Sequence, residues 1–293
     1  MLRRVLTIDE KTLGPEHPTL AVHLNNLAGV LQARADYATA ELLFRRALAI
    51  DETTLGPEHP ETANGLNNLA LLLKAKGDHT AAESMFRRAL SLVEKALGLE
   101  HPAVATDLNN LGELLLEKRD LAAAEGMLRR ALDIDEKMLG PNHPEVARSL
   151  NNVGELLRAK GDDAGAEPLL RRMVSIEEQA FGPNHPTVAT ALNNLASLLY
   201  TQGDYAAAEQ MLQRALVINE KVLGPEHPET ANILNTLAGL RQAKGDLPAA
   251  ESLFLRALAI DEKVFGHDHP MTQRIRHNLE SLSHRDPTQK LER

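Results

Sequence analysis

Apolar residues fall at Ala63, Leu66, Leu69, Ala70 and Leu73. Steps of three and four put them on one stripe of an α-helix. The spacing returns at Ala82, Phe86, Ala89, Leu90, Val93 and Leu97, which predicts a second helix. Between the two, Gly77 suits a left-handed helix end and Asp78 suits an N-cap. Gly98 stops the second helix, and a polar Gly-x-x-His-Pro turn follows. Pro60 fits the first helical position, where its missing N–H is an orphan in any case. His59, preceding it, is pushed to extended backbone outside the helix.

This two-helix unit recurs. Gly14, Gly56, Gly98, Gly140, Gly182, Gly224 and Gly266 each lie 42 residues from the last, and the His-Pro pair keeps step from His17-Pro18 to His269-Pro270. A period of that size is the mark of a repeat architecture. It predicts an all-α chain, an α-solenoid of six full helix pairs starting near residues 18, 60, 102, 144, 186 and 228, with a half-repeat at each end. The array covers residues 1–283, its last helix at 270–283 acting as a cap, with a polar tail at 284–293. Neither helix of a pair can bury its stripe alone, so the pairs must stack. Ala40, Ala82, Ala124, Ala166, Ala208 and Ala250, with Ala47, Ala89, Ala131, Ala215 and Ala257, mark the closest contacts, where a larger side chain would overpack. Met173 breaks the second series and Pro168 lies in the same helix, so a kink or a looser contact is expected there.

The ends differ. Met1–Leu13 corresponds to the close of a second helix, with Leu2 at the place of Phe44. In the last helix Arg276 and Glu280 stand where the second pair has Leu66 and Ala70, which suits a cap with a wet outer face. The N-terminal end has no such change. A chain truncated upstream, or an end covered by another domain or by a second copy, is expected.

Composition narrows the function classes. Aromatics are 3% of residues and Trp is absent, so Leu and Ala must build the core. Acidic residues outnumber basic ones, 41 to 32, which leaves no broad basic face for nucleic acid. Without Cys there is no disulfide, thiol nucleophile or thiolate metal site. The N-terminal run meets acid too soon for a signal peptide. No apolar run approaches the roughly 18 residues of a membrane span. A cytoplasmic protein with no cofactor and no membrane or nucleic-acid partner is expected.

The pattern Leu66-x-x-Leu69-Ala70-x-x-Leu73-x-x-x-Gly77-x-x-x-x-Ala82-x-x-x-Phe86-x-x-Ala89 resembles the tetratricopeptide repeat. The 42-residue period, with Asn-Asn-Leu-Ala, Arg-Ala-Leu and Leu-Gly-x-x-His-Pro, is similar to the variant of kinesin light chains and nephrocystin-like proteins. The resemblance implies a right-handed superhelix whose first helices line a concave groove that holds a peptide or a partner protein. It also implies that the paired asparagines face that groove: Asn25-Asn26, Asn67-Asn68, Asn109-Asn110, Asn151-Asn152, Asn193-Asn194, and Asn235 before Thr236. An amide both donates and accepts, so such a ladder can bind an extended backbone whatever its side chains. The competing role is internal, with one amide of each pair fixing the stacking of repeats.

Selectivity would come from positions that vary. The same alignment sends Asn64, Thr106, Arg148, Thr190 and Asn232 to the groove, then Leu71, Glu113, Glu155 and Ser197, then Lys74, Arg158 and Tyr200. Glu113, Glu117 and Glu155 are expected near Arg148 and Arg158, so a ligand of mixed charge suits the groove better than a plainly acidic peptide. The first basic position of a chaperone-type carboxylate clamp is asparagine throughout.

Other constellations carry less. Histidines recur at His17, His59, His101, His143, His185, His227 and His269. Neighbouring units are displaced by roughly 8–10 Å, while a zinc ligand sits about 2 Å from its metal. No metal is expected, and the histidines are read as closing the turn before each proline. Glu41/Arg45, Glu83/Arg87, Glu125/Arg129 and Glu167/Arg171 read as solvated ion pairs one helical turn apart. No phosphate loop, nucleophile elbow or His-Glu-x-x-His is present, and an open groove offers no dry site for general acid–base chemistry. No catalytic residue is expected. Two readings follow: a scaffold that holds a peptide or protein in its groove, or a structural, oligomerisation or sensor module of a larger signalling protein, self-associating through its uncapped N-terminal end.

Overall fold

A histidine opens each first helix. In the computed structural model, which describes Thr12 and residues 14–283, His17, His59, His101, His143, His185, His227 and His269 each accept, through Nδ1, the backbone N–H two residues on, at 3.2–3.3 Å. The ring thus satisfies a donor that the first turn leaves free. An aspartate opens each second helix in the same way: the side chains of Asp36, Asp78, Asp120, Asp162, Asp204 and Asp246 accept the N–H three residues on. The half-repeat expected before Thr12 and the tail expected at 284–293 lie outside the described residues.

Thirteen helices are formed, and no strand occurs, among the described residues. The first pair is α1 (Pro18–Ala33) with α2 (Tyr37–Thr54), and the second is α3 (Thr62–Ala75) with α4 (His79–Leu97). Then come α5 (Pro102–Glu117) with α6 (Leu121–Leu139), α7 (Pro144–Ala159) with α8 (Asp163–Phe181), and α9 (Pro186–Thr201) with α10 (Tyr205–Val222). The series closes with α11 (Pro228–Ala243), α12 (Leu247–Phe265) and the single helix α13 (Pro270–Ser283). The chain divides into two units, Met1–Pro141 and Asn142–Arg293. Within each, helices pack on their sequence neighbours, and first helices touch the first helices of adjacent pairs.

The core is the alanine seam. Ala40, Ala82, Ala124, Ala166, Ala208 and Ala250 are fully buried, as are Ala47, Ala89, Ala131, Ala215 and Ala257. Met173, which departs from the second series, is buried too, and α8 runs unbroken through Pro168. In α13 Ile275 and Leu282 join the last cluster, while Arg276 turns to Glu262 of α12 at 2.7 Å and Glu280 is exposed.

Three local expectations need correction. The helix after His59 starts at Thr62 and not at Pro60: the N–H groups of Thr62, Ala63 and Asn64 bond three residues back in a tighter opening turn. On α4, Leu97 is 46% exposed and Leu90 only half-buried, while Leu92 takes the core place. That helix has 19 residues against 14 and 16 in the first helices beside it, so its last turn overhangs them. The glutamates of the one-turn ion pairs are also more than solvated. Glu41 and Glu83 bond Arg45 and Arg87, but each reaches a lysine of the next pair as well, Lys76 and Lys118. Glu209 bonds Lys244 at 2.6 Å, and Glu167 bonds Gln202 at 3.2 Å.

Candidate functional site

Within a helix the two asparagines of a pair point in different directions, because successive side chains are about 100° apart on a 3.6-residue turn. Between adjacent first helices they can then meet. Asn194 of α9 donates to Asn151 of α7 at 2.9 Å, and Asn278 of α13 donates to Asn235 of α11 at 2.9 Å. Each bond spans one period plus one residue, so the second amide of one repeat meets the first amide of the repeat before it.

That register fails where a partner is lost. Thr236 stands where a second asparagine would, and its hydroxyl donates to its own helix, at Asn232 O, 3.1 Å away. The amide oxygen of Asn193, a residue only 8% exposed, is left buried without a partner. In the first unit Asn67 donates to Asp107 of α5, and the amide oxygens of Asn25 and Asn67 are buried and unpartnered. Asn109 and Asn152 are buried, Asn68 and Asn110 are half-buried, and Asn26 is exposed. The pairs are therefore split between packing and surface.

The charged positions are mutually answered. Lys74 lies 3.3 Å from Glu113 and 3.2 Å from Glu117, tying α3 to α5. Arg158 bonds Glu155 at 2.8 Å and Ser197 of α9 at 3.4 Å. Arg148 stands 4.0 Å from Glu145. The cations of the first-helix face thus meet glutamates of their own unit. Asp107 was not singled out from sequence, although a carboxylate one turn ahead of a groove position was the available signal.

A cavity opens on this face in each unit. In the first unit, about 470 Å³ lies open among Asn25, Asn26, Gly29, Val30, Asn68 and Leu71 over Phe44. In the second, about 280 Å³ lies between Tyr200, Asn235, Thr236, Gly239, Gln242 and Asn278, floored by Leu212, Leu240 and Phe254. The Tyr200 ring is set by Tyr205, whose centroid is 5.6 Å away. Among the described residues no three His, Cys, Asp or Glu side chains are grouped to hold a metal ion, and no helix is long and apolar enough to cross a membrane.

Comparison with known proteins agrees with the repeat reading. The tetratricopeptide repeat model matches residues 1–53, 24–95, 61–137, 120–178, 145–221, 188–263 and 229–285. None of the curated proteins matches. Among solved structures, a kinesin light chain-like protein of nearly identical repeats from Podosopora anserina is 24% identical, with a TM-score of 0.57 over 70% of this chain and 97% of that one. BtubC (BKLC) from P. vanneervenii is 24% identical, with a TM-score of 0.59 over 81% and 92%. A Rap protein complexed with competence and sporulation factor is 15% identical, with a TM-score of 0.60 over 97% and 84%. With capped helix pairs recurring every 42 residues and the repeat model matched from one end to the other, the chain belongs to the tetratricopeptide repeat family.

Proposed function

We propose that this chain is a scaffold whose first-helix faces hold an extended peptide or a segment of a partner protein. Tetratricopeptide repeats generally mediate protein–protein interaction and are generally not enzymes, and the Rap structure complexed with its factor is one instance among the fold's relatives. The observation that carries the reading here is the row of amides on the first helices. Amides not spent on helix packing offer a donor and an acceptor to a peptide backbone. Lys74 and Arg158 already have glutamate partners, so a plainly acidic peptide gains little from them.

Selection of random peptides on the intact chain tests this. Asn26→Ala combined with Asn68→Ala removes two amides that have no hydrogen bond among the described residues. Binding of a selected peptide should fall by about tenfold or more, with the melting temperature little changed. Asn194→Ala, which breaks the bond to Asn151, should instead cost about 1 kcal/mol of stability. Peptide binding that survives the double change untouched overturns the reading.

A further inference from the structure

One groove position explains where the two cavities fall. At successive repeats it is Gly29, Leu71, Glu113, Glu155, Ser197 and Gly239. The two glycines are the positions at which the cavities open, in the first pair and in the sixth. A Cβ added at Gly29 or Gly239 would meet nothing within 4 Å, so each glycine leaves room that a side chain could fill. Both cavities have a phenylalanine at the base, Phe44 or Phe254, at equivalent positions. In the second pair the equivalent phenylalanine is Phe86, and Leu71 stands at the position of the glycine; Phe44, Phe86 and Phe254 are all buried.

No charged side chain lines either cavity. The walls are apolar groups exposed for no packing reason, Val30 at 44% and Leu71 at 37% in the first and the Tyr200 ring in the second. The rims are amides. Either volume far exceeds the ~30 Å³ share of one water in the liquid. An ionised group entering would lose hydration with no opposite charge to meet it, whereas an uncharged apolar group gains burial.

We infer that Gly29 and Gly239 open two equivalent sockets, each taking one uncharged apolar or aromatic side chain of a bound polypeptide, and that they set its specificity. This rests on the peptide-holding reading above. Between them in sequence, the same position is a carboxylate, Glu113 or Glu155.

The test uses the whole chain and two probes, the amide-capped single residues of phenylalanine and of aspartate. Methyl resonances report each socket: Val30 and Leu71 for the first, Leu212 and Leu240 for the second. The phenylalanine probe should shift both sets and the aspartate probe neither. Gly29→Leu, which copies Leu71, should weaken binding at the first socket by at least about tenfold and leave the second unaffected. Gly239→Leu should do the reverse. Should a leucine variant not fold, the corresponding serine variant, which copies Ser197, should give an intermediate loss. The inference is overturned if the phenylalanine probe shifts neither set, if it binds equally to the plugged variants, or if aspartate binds as well. The peptide-holding reading fails in a different way: no random peptide is selected although the phenylalanine probe still occupies its sockets.

Discussion

Single residues in this chain act mainly by satisfying or stranding backbone and buried polar groups. Each histidine caps by accepting at Nδ1, and burial lowers the pKa of His269 below its ordinary 6.5, in the direction that role requires. Its contribution is present above about pH 6.5 and is lost as pH falls through the lowered value. Left-handed backbone at Ala35 (φ 58°) and Arg119 (φ 62°), where other repeats have glycine, was not foreseen from the Gly77 signal. The strongest outlier is Asp261 on α12, 1% exposed, with Oδ1 unpartnered; burial pushes its pKa from 3.8 to about 6. A raised carboxyl pKa means the protonated form is the one at home in the fold. The stability tied to it is complete below pH 3.8 and lost as pH rises through about 6. Asp261→Asn, which copies Asn219 of the preceding pair, should therefore stabilise on the order of 2 kcal/mol at pH 8 and scarcely at pH 4. Urea unfolding at the two pH values decides it, and an equal effect at both would refute the account.

Helices are joined by alanine seams within and by charge seams outside. The seams of alanine were readable from the 42-residue recurrence, since close packing admits only small side chains. The charge seams were not. Glu41 and Glu83 are held below the ordinary carboxylate range first by Lys76 and Lys118, then by the arginines one turn on. A second series runs beside it: Arg88 to Glu52 at 2.7 Å, Arg130 to Glu94 at 2.6 Å, Arg214 to Glu178 at 2.6 Å and Arg256 to Glu220 at 2.6 Å. Lowered carboxyl pKa values supply stability above about pH 4.5 that is lost as pH falls further. Lys76→Gln and Lys118→Gln should each cost roughly 0.5 kcal/mol at pH 7 in low salt. The deficit should shrink toward pH 3 and in 1 M salt, where the Debye length is about 3 Å. A deficit that persists at pH 3 would mean the lysines act through their alkyl stems instead.

Within each unit, contact runs from each pair to its neighbours, so strain should stay local. Gly112 supplies a test. A Cβ there would sit 2.3 Å from Leu128 of α6, whereas at Gly154 it would sit 3.0 Å from Leu170. Gly112→Ala should cost about 1–2 kcal/mol through overpacking and Gly154→Ala less. Hydrogen exchange in the first variant should rise most in α5 and α6 and least in α11 and α12. A uniform rise along the chain would show a single cooperative block instead.

How much was legible beforehand follows from the range of the forces involved. Periodicity, caps and breaks are settled by groups within a few residues of one another, so the helix pairs from α1 to α12, the histidine turn and the alanine seam could be read from residues alone. The start of α3 and the overhang of Leu97 could not, because they depend on how long the neighbouring helices are. The inward or outward sense of each asparagine, the reach of Lys76 to Glu41, and the voids above Phe44 and Phe254 depend on the spacing and rotation between helices one repeat apart. A side-chain direction changes by about 100° per residue, so no count along the chain resolves which amide meets its neighbour; only the packed helices do.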